Sequence, residues 1–179
     1  MKKVFLTVLA ALAAVIPVHA QSSPLRFEAG LNPVSYLHQS GKNLWGGSFS
    51  LAMHRSNRLS YVADFAVHQT RDSNPFTTSA YRFGLRYYAT HKGKFTPFGE
   101  VLAGGANTGA VTTQVGTKIS TIPGHNGVAF AAGGGVDRAF KSWFSWRVLH
   151  VDYSFIHAGS NLSGVRIQTG GVFHFGRSE

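Results

Sequence analysis

The chain has 179 residues, no cysteine, 13% aromatic residues and a formal net charge of +10. The lack of cysteine excludes disulfide and thiol chemistry, and no segment beyond residue 20 approaches the run of about 18 apolar residues that a membrane-spanning helix needs. The positive charge points to nucleic acid or to an acidic surface as a partner. High glycine and aromatic contents, with few Glu and Lys residues, favour strands over helices.

Residues 1–20 have the pattern of a secretory signal peptide. A positively charged start is followed by an apolar run over residues 4–18 and by a small-residue cleavage site ending at Ala20. A transmembrane anchor is the alternative, but the run is shorter than about 20 residues and is interrupted by Pro17. We therefore predict export, with a cleaved signal peptide at 1–20 and one mature domain at 21–179.

Beyond residue 21 the dominant pattern is period two, in which successive side chains face opposite sides of a strand. In one segment, for example, Tyr81, Phe83 and Leu85 alternate with Arg82 and Arg86. The pattern predicts eight strands of about ten residues, the length that a tilted strand needs to cross a bilayer. Their approximate bounds are 25–36, 44–54, 59–69, 80–90, 95–105, 128–138, 144–156 and 163–175.

The connections between these segments alternate in length. Those at 55–58, 91–94 and 139–143 are short, those at 70–79 and 106–127 are longer, and those at 37–43 and 157–162 are intermediate. With the N-terminus in the periplasm, all short connections fall on the periplasmic side. This is the pattern of an all-β, eight-stranded antiparallel up-and-down transmembrane β-barrel.

A soluble barrel or sandwich shares the alternation. Its water-facing side would be rich in Lys and Glu, however, whereas the polar faces here carry Ser, Gly, Ala and paired charges. Aromatic residues near the segment ends, such as Trp45, Tyr87 and Trp143, are typical of the two interfaces of a bilayer. The membrane barrel is therefore the favoured interpretation.

The last predicted strand carries the most specific motif. Gln168, Gly170, Phe173 and Phe175 follow the order polar-x-Gly-x-x-aromatic-x-aromatic. This resembles the C-terminal signal by which the assembly machinery recognises outer-membrane barrels, except that residues 176–179 extend beyond it.

The resemblance extends over nearly the whole mature chain. Stretches 48–65, 81–105 and 129–175 look like the small single-domain outer-membrane barrel proteins of acidobacterial type, and the architecture is similar to the transmembrane domains of OmpA and OmpX. The elements that carry it are Ala63-Asp64-Phe65, Thr96-Pro97-Phe98, Ala132-Gly133-Gly134-Gly135-Val136-Asp137 and Val151-Asp152-Tyr153. The resemblance implies a barrel and specifies no activity.

Charged residues within the predicted strands are expected to fill the lumen. A charge that faces lipid near the middle of a bilayer costs about 2–4 kcal/mol, whereas opposite charges inside a narrow barrel can pair. The expected network consists of Glu28, Asp64, Arg82, Arg86, Glu100, Asp137, Arg147, Asp152 and Arg166.

Neighbouring strands suggest particular pairs within this network. Arg82 and Arg86 lie beside the strand of Glu100, and Arg166 is flanked by the strands of Asp152 and Glu28. Arg147 and Asp152 have opposite parity in one strand. Both can face inward only if a β-bulge lies between them, which we expect near Leu149.

An eight-stranded barrel has room inside only for its own side chains or one small ligand. We expect a lumen plugged by ion pairs, no enzymatic activity, and a structural or surface-interaction role through the outer loops. A small-solute pore and a lipid A-modifying hydrolase are the alternatives.

The hydrolase alternative rests on His157 and Ser160, which resemble the His-x-Ser-Asn run of the lipid A deacylase with one extra residue. Because the one later acid is Glu179, an orienting carboxylate is missing.

Other binding chemistry has little support. No two of the nine histidines are spaced i, i+2 or i, i+4, and no cysteine can assist them, so neither a metal site nor a cofactor is expected. The glycines at 133–135 lack the helix and the Lys-Ser/Thr pair of a phosphate loop.

Basic residues cluster at the short turns, which the barrel places on the periplasmic rim. They are Arg55, Arg58, Lys92, Lys94, Arg138, Lys141 and Arg177. Anionic headgroups or an acidic periplasmic polymer suit this rim better than nucleic acid does, and simple solubility explains it equally well. The expected partners are outer-membrane lipids, lipopolysaccharide and the barrel assembly machinery, with no nucleic acid and a monomeric state.

Overall fold

The computed structural model of the chain describes residues 26–71, 76–89, 94–115 and 118–176, so the predicted signal peptide lies outside the described residues. All regular elements in this part are strands. They are β1 Phe27–Gln39, β2 Lys42–His54, β3 Leu59–Thr70, β4 Thr77–Tyr88, β5 Phe95–Thr108, β6 Val111–Val115, β7 Lys118–Ile122, β8 His125–Lys141, β9 Phe144–His157 and β10 Asn161–Phe175.

Eight of these strands close into one barrel. Around the barrel the order is β1-β10-β9-β8-β5-β4-β3-β2, and every neighbouring pair is antiparallel. The predicted eight-stranded up-and-down barrel is confirmed. Among the described residues, no helix has the length and apolar character that crossing a membrane would require.

The barrel is apolar outside and polar inside. Most large apolar side chains on the outward face are exposed, Val101 most of all at 66%. Charged side chains on the inward face, such as Arg166 and Asp152, are at most 5% exposed. This arrangement, which follows from the period-two alternation, is the reverse of the one in a water-soluble barrel.

The two ends of the barrel differ. We call the end with the connections 55–58, 89–94 and 142–143 the turn end, and the opposite end the loop end; β1 begins and β10 ends at the turn end. At the loop end the strands run further than the sequence predicted. The connection expected at 37–43 shrinks to a two-residue turn at Ser40 and Gly41, whose φ angles of 48° and 78° match the tight hairpin turn that continues the strand twist.

The long connection expected at 106–127 also contains strands. β5 continues to Thr108, β6 and β7 form a two-stranded sheet of their own, and β8 begins at His125. The segment is rich in Thr, Val and Ile, residues that favour extended backbone. The loop end therefore carries a hairpin in place of an irregular loop.

The β-bulges in β1 and β9 change the inward and outward alternation of these strands. In β1 the register shifts beside Pro33 and Val34, which both face outward. Proline has no N–H to donate to the neighbouring strand, and a bulge is a position where that hydrogen bond is not required. In β9 the register shifts between Arg147 and Leu149, so that Val148 and Leu149 both face outward. The bulge expected near Leu149 is therefore present, and it lets Arg147 and Asp152 share the lumen.

Candidate functional site

The part of the lumen nearest the turn end is centred on Glu28 of β1. Its carboxylate accepts hydrogen bonds from the Tyr88 hydroxyl at 2.6 Å and pairs with His54 Nε2 at 2.8 Å. His174 Nδ1 lies 3.3 Å away and Arg86 Nη1 lies 3.8 Å away. Four groups from three strands, β2, β4 and β10, therefore converge on one buried carboxylate.

Two further ion pairs in the lumen contact the ring of Phe98. Arg86 binds Glu100 with its Nε at 2.8 Å and its Nη2 at 2.7 Å. Arg147 binds both oxygens of Asp137, at 2.9 and 3.0 Å. The two guanidinium groups lie 4.7 and 4.6 Å from the Phe98 ring centroid, so cation–π contacts supplement the ion pairs.

The part of the lumen nearer the loop end is organised by Asp64 of β3. Its Oδ2 lies 3.0 Å from Arg166 Nη1 and 3.4 Å from Arg82 Nη1. Arg166 also donates from Nε to Asp152 at 2.8 Å, and Arg82 donates to the Ser154 hydroxyl at 3.1 Å. This chain of contacts crosses the lumen from β3 to β9.

All nine charged residues expected in the lumen lie there and are buried. The structure brings Arg86 to Glu100 and Arg166 to Asp152. It does not bring Arg82 to Glu100, because the register places Arg82 beside Asp64. Nor does it bring Arg166 to Glu28, since Arg166 pairs with Leu37, nine residues further along β1.

Several polar lumen groups were not singled out from the sequence. His54, Tyr88 and His150 contact the predicted network, and His68 is bound to the Ser35 hydroxyl at 2.7 Å. Each has the polar parity of its strand. Parity could therefore have identified them, but it could not have identified their partners across the lumen.

Outside the lumen, the exposed charged side chains of the described residues are all cationic. Every described acid is buried, whereas eight Lys or Arg side chains are exposed. Six of these form a collar at the turn end: Arg26, Arg55, Arg58, Lys94, Arg138 and Lys141. Aromatic rings lie directly beside the collar, with Arg138 5.0 Å from the Phe140 centroid and Lys141 5.5 Å from that of Trp143.

The histidine and serine of the hydrolase alternative lie at the loop end. His157 Nδ1 pairs with the Asn161 side chain at 2.6 Å, and Ser160 lies in the exposed turn that precedes β10. Of the described acids, all of which are buried in the lumen, none pairs with His157. The described residues therefore place no carboxylate against His157 to orient it toward a serine, and Glu179 lies outside them.

The predicted assembly motif lies along β10. Gln168 and Gly170 face the lumen, whereas Phe173 and Phe175 face outward and are 37% and 56% exposed. Phe173 packs against Phe144, at 5.4 Å between centroids. The two phenylalanines thus form part of the aromatic surface below the collar.

Comparisons with known proteins support the fold. No protein-family model matches the chain, and no curated protein matches it. Among solved structures, Neisserial surface protein A superposes with a TM-score of 0.62 at 14% identity, covering 84% of this chain and 97% of its own. Ail, the attachment invasion locus protein of Yersinia pestis, superposes with a TM-score of 0.57 at 13% identity, covering 87% and 100%.

The chain has the fold of small outer-membrane barrels. Both similar structures are eight-stranded barrels from the bacterial outer membrane. At these identities the likeness establishes the architecture alone. The acidobacterial-type assignment therefore stays a prediction.

Proposed function

We propose that this chain is an integral outer-membrane protein whose barrel crosses the bilayer with its turn end in the periplasm. The observation that carries the proposal is the continuous exposed apolar surface around a polar lumen. Soluble monomers rarely expose contiguous apolar patches larger than a few hundred Å². In outer-membrane barrels, by contrast, an apolar outer band flanked by aromatic residues faces the lipid.

Cysteine labelling tests the membrane location and the orientation together. Because the chain has no native cysteine, a single cysteine reports one position. Ser160→Cys lies at the loop end and Asn57→Cys at the turn end, and both positions are exposed. An impermeant maleimide should label S160C on intact Gram-negative cells and should label N57C after the outer membrane is permeabilised. The opposite pattern would refute the orientation, and recovery in the soluble fraction would refute the membrane location.

We propose further that the lumen is closed by its own side chains, and that the protein has a structural or surface-interaction role through the loop end. Arg82, Arg86, Arg147 and Arg166 are each at most 2% exposed. Arg86 and Arg147 bind acids on neighbouring strands. Arg166 reaches across the lumen to Asp64, and Arg82 reaches across it to Ser154. Recordings in planar bilayers should show no stable open state for the native barrel. An open state of porin size would instead support the alternative, a small-solute pore.

A matched pair of variants sharpens this measurement. Arg82→Ser with Arg166→Ser removes two side chains that cross the lumen, and it should raise the conductance. Arg138→Ser removes an exposed cation from the collar and should leave the conductance unchanged. Equal effects of both changes would contradict the plug.

The surface charges suggest the partners. The turn-end collar is suited to anionic phospholipid headgroups of the inner leaflet, and the exposed Lys42 and Arg71 at the loop end are suited to the phosphates of lipopolysaccharide. We propose no enzymatic activity. We also propose no nucleic-acid partner, because the proposed orientation places the collar in the periplasm. Sedimentation of the detergent-solubilised barrel should give the mass of a monomer.

A further inference from the structure

Three potential metal ligands converge in the lumen. Glu100 comes from β5, and His150 and Asp152 come from β9. Each side chain is at most 5% exposed, and their ligand atoms all lie within 4.8 Å of one another. His150 Nε2 is 3.1 Å from Glu100 Oε1 and 3.6 Å from Asp152 Oδ2.

Glycines on β8 make this convergence possible, although β8 separates β5 from β9. Gly133 pairs with both Glu100 and Asp152, and Gly135 pairs with His150. No side chain from β8 stands between the ligands at these two positions. A Cβ on Gly133 would lie 2.6 Å from the Cβ of Asp152, so the close approach requires glycine.

Two atoms of the cluster are buried without a hydrogen-bond partner: His150 Nε2 and Asp152 Oδ1. Although Nε2 and Glu100 Oε1 are 3.1 Å apart, they do not meet hydrogen-bond geometry. A shared proton needs the oxygen to lie in line with the ring N–H. Two atoms that bind the same metal ion need not be aligned in this way. Metal–ligand bonds of 2.0–2.2 Å place two such atoms roughly 3 to 3.5 Å apart, which matches the 3.1 Å between Nε2 and Oε1.

The surrounding groups hold the ligands in place. Arg86 binds the other oxygen of Glu100 at 2.7 Å, and Arg166 binds Asp152 at 2.8 Å. The Gln168 amide is best satisfied when its oxygen faces Arg166 and accepts from His150 Nδ1 at 3.2 Å. This orientation protonates Nδ1 and leaves the Nε2 lone pair free, as for a histidine ligand with an outer-shell partner.

The charge balance of the lumen favours an added cation. Five described carboxylates, of Glu28, Asp64, Glu100, Asp137 and Asp152, face four buried guanidinium groups there. Counting carboxylates and guanidinium groups alone, the described lumen lacks one positive charge. We propose that Glu100, His150 and Asp152 bind one divalent first-row metal ion of the Zn²⁺ type, with water completing its coordination, and that this ion ties β5 to β9 across the glycine strand.

Zn²⁺ and Co²⁺ serve as the probes. The full chain is extracted from membranes in detergent, stripped with a chelator in denaturant, and refolded with either ion present. We expect one equivalent of bound metal per folded chain and a visible Co²⁺ spectrum of nitrogen and oxygen ligation. His150→Gln should weaken binding by more than the 10–100-fold that loss of an outer-shell group costs.

The matched control is His68→Gln, which removes another buried lumen histidine from a different part of the barrel. It should keep the full equivalent of metal. Heat-modified electrophoretic mobility reports folding, and Glu100→Gln replaces H150Q if that variant does not fold. The proposal is overturned if the folded native barrel takes up no stoichiometric metal, or if H68Q loses as much binding as H150Q.

Discussion

The guanidinium group of Arg147 donates two nearly equal hydrogen bonds, of 2.9 and 3.0 Å, to the carboxylate of Asp137 on the neighbouring strand of the barrel. Both side chains are buried. A bidentate pair of this kind is stabilising only while both partners are present, because either charge left alone has lost its water.

Removing one partner should therefore cost more than removing both. We expect Asp137→Ala to lower the free energy of unfolding by about 3–5 kcal/mol, and the double variant D137A/R147A to recover part of this loss. Urea unfolding of the refolded barrel, arranged as a double-mutant cycle, measures the coupling. Arg138→Ala, an exposed neighbour, should change stability by less than about 0.5 kcal/mol. Additive single effects would contradict a coupled pair.

The lack of a side chain at Gly133 of β8, between Glu100 and Asp152, gives a second prediction. Gly133→Ala should destabilise the barrel by about 1–3 kcal/mol, since the new methyl would meet Val151 O at 2.2 Å and the Asp152 side chain at 2.6 Å. Gly99→Ala, on the adjacent strand β5, is the matched control because its nearest atom would be 3.7 Å away. Equal unfolding midpoints for the two variants would show that the lack of a side chain at Gly133 is not needed.

The β1–β2 turn isolates a backbone effect. At Gly41 an added Cβ would have no neighbour within 4 Å, yet φ is +78°. Gly41→Ala should therefore cost about 1–2 kcal/mol through conformation alone, whereas Gly41→Asn should cost less. Thermal unfolding in detergent provides the measurement, and an unchanged midpoint for G41A would argue against the left-handed turn.

The C-terminal motif predicts a difference between assembly in cells and folding in the test tube. Phe175 is 56% exposed on the outer surface. Phe175→Ala should lower the amount of folded barrel in the outer membrane while leaving spontaneous refolding into detergent nearly unchanged. Phe140→Ala is the control, since Phe140 is 58% exposed at the same end but lies outside the motif. Equal loss for both variants in cells would remove the special role of the motif.

The sequence allowed the barrel to be predicted because inward and outward residues alternate along nearly every strand. Residues such as Phe83 and Arg82 therefore report their own side of the sheet. Strand ends were less predictable, because backbone pairing continues past the alternating segments, as at Thr108 and His125. The bulge in β9 was predictable because two charges, on Arg147 and Asp152, required it.

Contacts across the lumen needed information that the sequence does not carry. Whether Arg82 meets Asp64 or Glu100 depends on the register of three strands and on the length of the side chain. The cluster of Glu100, His150 and Asp152 was missed for a related reason. Its residues lie on two strands, with Glu100 and His150 50 positions apart in the sequence. A search for closely spaced histidine pairs therefore does not find them.

The contact between Arg166 and Asp64 joins residues 102 positions apart, on β10 and β3. In an open sheet these strands stand on opposite flanks, so this contact can form only once β1 and β10 have zipped together. In a partly formed barrel, Arg166 and Asp64 would thus lack each other as partners. The lumen network consequently stabilises the closed barrel and makes partly formed barrels less stable than the complete one.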